Sequence, residues 1–164
     1  MKRISLLAGF LLVLSILALA ADKFVSADYG FACSFPGAPA QEKDGSTTRF
    51  TAYNDSRSLF TQVQIGEEDM SQIADMNNHL DEFVAEVAKS SHSIVSSNKH
   101  LMLQGFPAAR VTMAMTLQDG KVFDVAMLVV AVKAKNRIYT VDAGTLKTSD
   151  HSGMQPFLDS FEIR

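Results

Sequence analysis

The chain has 164 residues, with 15 lysines and arginines against 18 acidic residues and a net charge of −3. That length suits one domain with its own core, and mild acidity without grouped Lys or Arg sets aside nucleic-acid binding and strong adsorption to anionic lipid, both of which need clustered positive charge. A single cysteine, Cys33, excludes an internal disulfide, so the core must carry the stability unaided.

The first segment reads as an address. Lys2 and Arg3 precede an uncharged run, Ile4 to Ala21, which ends in the small-x-small pattern Ala18-Leu19-Ala20 before Asp22. These are the three parts of a secretory signal peptide, assigned to residues 1–21, with a single secreted or periplasmic domain over 22–164. Removing Lys2 and Arg3 leaves 15 − 2 = 13 basic residues against 18 acidic ones, a net charge of −5. An uncleaved anchor is the rival reading, because about 18 apolar residues is near the lower limit for crossing a bilayer. The later apolar run, Val125 to Val132, is far too short to span, so no membrane span is expected after cleavage.

Phe24 to Ala27 and Phe31 to Phe35 then read as short strands broken by Asp28-Tyr29-Gly30, the second ended by Pro36 and Gly37. Cys33 lies in the second strand. Asp22, Lys23 and Asp28 separate it from the apolar signal, which argues against lipid attachment. A nucleophile needs a partner base, and no histidine is near it in sequence. The reading kept is core filler between Phe31 and Phe35 on one strand face, with an exposed thiol for intermolecular pairing as the alternative.

"AQEKDGST", Ala40 to Thr47, reads as a polar turn. Ser46 to Asn54 and Ser58 to Ile65 alternate and form a hairpin, with Leu59, Thr61, Val63 and Ile65 on one side. A helix is predicted over about 78–90: Asn78 caps it, Leu80, Phe83, Val84, Val87 and Ala88 fall at helical spacing, and Asp81, Glu82, Glu86 and Lys89 point outward, with the stretch before it, "EEDMSQIADMN", adding an irregular turn or extending the helix. From Ile94 the pattern is sheet. Gly105-Phe106-Pro107 is read as a turn, the next strand puts Val111, Met113 and Met115 on one face, and Asp119-Gly120 signals a hairpin. "KVFDVAMLVVAVK" is apolar on both faces, as a strand covered on each side should be. "RIYTVDAG" returns, Ser149 or Asp150 starts a short helix with Pro156 in its first turn, and "SFEIR" closes the chain. A covered central strand requires layers on both sides. The fold class is α/β (α+β), a mostly antiparallel sheet sandwiched between helices.

The segments "YGFACSFPG" (Tyr29 to Gly37), "GFPAARV" (Gly105 to Val111), "NRIYTVDA" (Asn136 to Ala143) and "FLDSFEI" (Phe157 to Ile163) occur in an order and spacing that cover nearly the whole mature chain. In them the chain resembles the PsbP-like superfamily, and most closely its small exported bacterial members. That resemblance implies the sheet-between-helices fold and a role in binding protein partners or supporting a larger assembly. It carries over no catalytic residue and no cofactor.

Enzyme signatures such as Gly-x-Ser-x-Gly, His-Glu-x-x-His, Cys-x-x-Cys and the P-loop are missing from the sequence. His100, Met102, Met113 and Met115 are candidate metal ligands, since imidazole and thioether suit Cu(I); core packing is the competing reading of the methionines. The acidic run Glu67-Glu68-Asp69 lacks the spacing of a calcium loop. Ser149, Asp150, His151 and Ser152 are adjacent in sequence, and adjacent side chains diverge, so they make no triad by themselves. The function expected is an exported, non-enzymatic binding or accessory domain with a protein or cell-envelope partner. The alternatives are a periplasmic copper carrier and an enzyme in which Asp124, Asp142 or a histidine converge in a cleft.

Overall fold

The computed structural model describes residues 23–164; the segment 1–21, read above as a signal peptide, lies outside them. Seven strands form one fully antiparallel sheet in the order β3-β4-β5-β9-β8-β7-β6. They are β3 (Ala40–Asp44), β4 (Thr47–Tyr53), β5 (Leu59–Glu67), β6 (Ser93–Leu103), β7 (Phe106–Thr116), β8 (Val122–Val132) and β9 (Arg137–Leu146). A small second sheet joins β1 (Phe24–Ser26), β2 (Phe31–Cys33) and β10 (Glu162–Ile163), with β2 central. Helix α1 (Met76–Ser90) packs on one face of the large sheet, against β6, β7 and β8; helix α2 (Met154–Asp159) and the small sheet close the other.

Strand β8 shows why its sequence is apolar throughout. Leu128, Val130 and Val132 enter the cluster under α2 and the small sheet, which holds Phe31, Phe50, Tyr139 and Phe157. Met127, Val129 and Ala131 enter the cluster under α1, with Leu80, Val84 and Val111. The period of two sends alternate side chains to opposite cores. The sandwich predicted from the sequence is present, with a helix on each face.

Four local expectations are corrected. The "AQEKDGST" segment is not a turn: Ala40 to Asp44 form edge strand β3, exposed along its whole length, and only Gly45-Ser46 turn, with Gly45 at φ +57°. An edge strand covered on neither face carries no apolar alternation to read. Helix α1 starts two residues early. Asp75 caps it, accepting from the backbone N–H of Asn77 (3.0 Å) and Asn78 (3.1 Å), and Met76 packs against the core below. The turn before β7 is Gln104-Gly105, both at positive φ, and Phe106 and Pro107 already belong to the strand. Pairing of β7 with β8 begins only at Ala108, so the N–H that Pro107 lacks costs no ladder bond there. Asp150 does not start α2; its carboxylate accepts from the Ser152 N–H (2.9 Å) and hydroxyl (2.7 Å) in a separate turn before Gly153.

Candidate functional site

Helix α1 covers only part of its sheet face. The strands it leaves bare, β3, β4, β5 and the near side of β9, form an open floor, and a groove runs where the helix edge meets it. Cross-strand register builds this groove row by row. Phe60 of β5, Gly144 of β9, Val125 of β8 and Met113 of β7 lie abreast. The next row is Gln62, Asp142 and Met127, and the one beyond it Gln64, Thr140 and Val129. Phe83 and Val87 of α1 form the opposite wall, and the cavity holds about 220 Å³.

One end is stopped by two rings. Phe60 and Phe123 meet over Gly144 at a centroid distance of 5.8 Å. A Cβ on Gly144 would lie 2.7 Å from Phe123 Cε1 and nearer still to Phe60, so only glycine allows the rings to close. At the other end a smaller hollow of about 140 Å³ shares Gln64, Phe83 and Thr140 with the groove. Nearby, His79 Nε2 is shut off from solvent without a hydrogen-bond partner; Glu68 Oε1, at 3.4 Å, is within ion-pair reach but out of line for a hydrogen bond.

Asp142 is the one ionisable group among the residues lining the 220 Å³ groove. It keeps slight contact with solvent, yet its surroundings are apolar enough that burial pushes the carboxyl up to about 7. No side-chain hydrogen bond to it is formed among the described residues. Beside it, Gln62 donates through Nε2 to Thr51 Oγ1 (3.0 Å), and Gln64 accepts at Oε1 from Arg49 Nε (2.9 Å).

A second surface feature lies at the β3–β4 margin. A shallow hollow of about 610 Å³ is bounded by Glu42, Thr51, Tyr53 and Arg57. Tyr53 is 53% exposed, and the Arg57 guanidinium lies 5.9 Å from its ring centroid.

His100, Met102, Met113 and Met115 all project from the α1 face of the β6–β7 hairpin, but in separate places. His100 opposes Ala109, four residues before Met113, which places the two pairs about 13 Å apart along the strand. One ion cannot touch both pairs. His100 is engaged with α1: its Nε2 lies 2.9 Å from Asp81 Oδ1, which also accepts from Asn98 (2.7 Å). Met102 is 64% exposed, whereas Met113 is buried beneath α1 and Met115 lines the groove. Among the described residues no group of three or more His, Cys, Asp or Glu is placed to hold a metal. Asp124 and Asp142 do not converge, since they point from opposite faces of the sheet; Asp124 instead faces His151 Nε2 at 3.1 Å.

Cys33 is buried in the core. Burial pushes its thiol up to about 11, and its sulfur rests 3.3 Å from Ser160 Oγ. Of the groove residues, Asp142, Met113 and Met115 are candidates from the sequence alone. Phe60, Gln62 and Gly144 carry no local signal, because only strand register brings them together; Phe83 reads locally as a core-facing helix residue, and the packing of α1 brings it to the groove.

No protein-family model matches the sequence, and no curated protein is significantly similar to it. Solved structures match its fold. The chain resembles cyanobacterial PsbP (CyanoP) from Synechocystis sp. PCC 6803 with a TM-score of 0.60 at 12% identity, over 87% of this chain and 91% of that one. It resembles the Ran-binding protein Mog1p of Saccharomyces cerevisiae with a TM-score of 0.57 at 8% identity, over 86% and 94%. A Bacteroides thetaiotaomicron structure matches with a TM-score of 0.54 at 13% identity, over 87% of this chain and 48% of that one. The fold is PsbP-like. Among the described residues no helix is long and apolar enough to cross a membrane.

Proposed function

We propose that the protein is a non-enzymatic binding domain that is exported, loses residues 1–21, and works in the periplasm or outside the cell against a protein partner or envelope component. The observation that carries this reading is the uncovered half of the large sheet with Tyr53 and Arg57 at its margin. Tyrosine and arginine are the residue types that dominate protein–protein contacts. A guanidinium held over an aromatic face gives a partner a rigid, amphipathic anchor at low entropic cost. The fold likeness to a Ran-binding protein adds a precedent for protein recognition on this scaffold.

The test is photo-crosslinking from position 53 in intact cells that export the protein. A discrete crosslinked protein is expected, lost when Arg57→Ala is introduced. Edman sequencing of the same material should begin near Ala21 or Asp22. A crosslinking pattern that is diffuse and indifferent to Arg57 would remove the reading.

A further inference from the structure

We propose that the groove between α1 and strands β5 and β9 is a binding site for a small primary amine with a compact apolar body, whose ammonium group sits on Asp142. The site borders the Tyr53 surface, with which it shares Gln62, but the proposal does not depend on that surface being used.

The first argument is charge complementarity. Asp142 is a carboxylate in an apolar hollow with no cation of its own. No Lys, Arg or His lines the groove. Arg49, on the same sheet face, is tied through Nε to Gln64. On α1, Glu86 and Lys89 are exposed on the outer side, and His79 and Glu68 face each other beyond the far end. A buried charge without a partner is costly, and a ligand cation would supply the partner.

The second argument is the count of acceptors. An ammonium has three donors and no acceptor. Beside the carboxylate, Gln62 is paired directly across the strand, and its amide nitrogen is committed to Thr51. Its carbonyl oxygen accepts no protein donor among the described residues. Thr140 adds a hydroxyl two residues away on the same face. Three acceptor-bearing side chains therefore occupy neighbouring positions on one face of the groove.

The third argument is shape. Phe60, Phe83, Val125 and Met127 wall the rest of the groove, suited to an apolar stem and to cation–π contact with a ring face. The closed Phe60–Phe123 end and the 220 Å³ volume fall below the roughly 300–1,000 Å³ of drug-sized pockets. A short, compact ligand fits this space better than a length of polypeptide.

The purified protein is titrated with phenethylammonium and with 2-phenylethanol, which has the same body and no charge, followed by amide chemical shifts and calorimetry. The amine should bind, with the largest shifts at Gln62, Thr140 and Asp142, and the alcohol should bind at least tenfold more weakly. Because only the ionised carboxylate recruits the cation, affinity should rise up to about tenfold per unit from pH 5 to 7 and level off above. Asp142→Asn should abolish the pH dependence and weaken binding at least tenfold at pH 8, with Phe83→Leu as a second variant that leaves the carboxylate in place and weakens binding more mildly. Equal affinity for amine and alcohol would overturn the proposal. So would undiminished binding by Asp142→Asn, or tighter binding of N-acetyl-lysine methylamide, which would make the groove a reader of protein lysines.

Discussion

At the residue scale, Asp142 and Cys33 are both held by burial, with different consequences. Raising a thiol to about 11 keeps Cys33 neutral and inert at every physiological pH, which agrees with its sequence reading as core filler. Raising a carboxyl to about 7 means that Asp142 is only partly ionised near neutrality. The sign for stability follows from linkage. The folded value lies above the ordinary 3.8, so ionising Asp142 is harder in the folded state than in the unfolded chain. The fold is therefore unpenalised below about pH 4, loses stability as pH rises toward 7, and loses no more beyond it. Three units correspond to at most about 4 kcal/mol. Asp142→Asn is expected to melt later than the parent at pH 8 and at the same temperature at pH 4. Equal melting temperatures at pH 8 would mean that the carboxyl is already solvated or paired.

At the scale of elements, β9 is where the groove is set. Gly144 has no side chain, and Phe60 and Phe123 occupy the space a methyl would need. Gly144→Ala should cost about 1–3 kcal/mol by overpacking. Its effect should be non-additive with Phe60→Ala, since removing that ring removes the closer of the two clashes and leaves Phe123 room to shift. Urea denaturation of the two single variants and the double variant measures that coupling; strict additivity would show that the rings yield freely. Helices and covered strands were legible in the sequence because burial imposes a period: β5 alternates along its length, and α1 repeats Leu80 and Val84. Strand β3 was hidden because nothing covers it, so its residues were free to be polar. Asp75, not Asn78, caps α1: both residue types are good caps, and starting at Asp75 lets Met76 pack against the core. Asp142 was visible as a carboxylate inside an apolar strand, but its neighbours Gln62 and Phe83 come from segments about 80 and 60 residues away, which no local pattern connects. The copper candidates stand apart for the same kind of reason: alternation puts His100 with Met102 and Met113 with Met115, whereas register, which alternation does not encode, sets the two pairs apart.

At the scale of the whole molecule, β8 divides two cores that differ in kind. Leu128 faces the sealed one, roofed by α2 and the small sheet, where Phe31, Tyr139 and Phe161 pack. Met127, its immediate neighbour, faces the core under α1 and borders the groove. Both side chains are almost fully buried, so burial alone forecasts similar losses of about 2–5 kcal/mol on truncation to alanine. The surroundings separate them. A hole at Leu128 opens inside close-packed side chains that cannot collapse into it, and the lost contacts add to the lost transfer energy. A hole at Met127 merges with a space that already exists and that Phe83, on the helix edge, can move to fill. Leu128→Ala should therefore lie toward the upper end of that range and Met127→Ala toward the lower. Because one strand carries both residues, each variant should still unfold in a single transition with an unchanged denaturant slope. Two separate transitions would show that the α1 layer and the α2 layer are independent units, and equal losses would show that the groove is closed in solution.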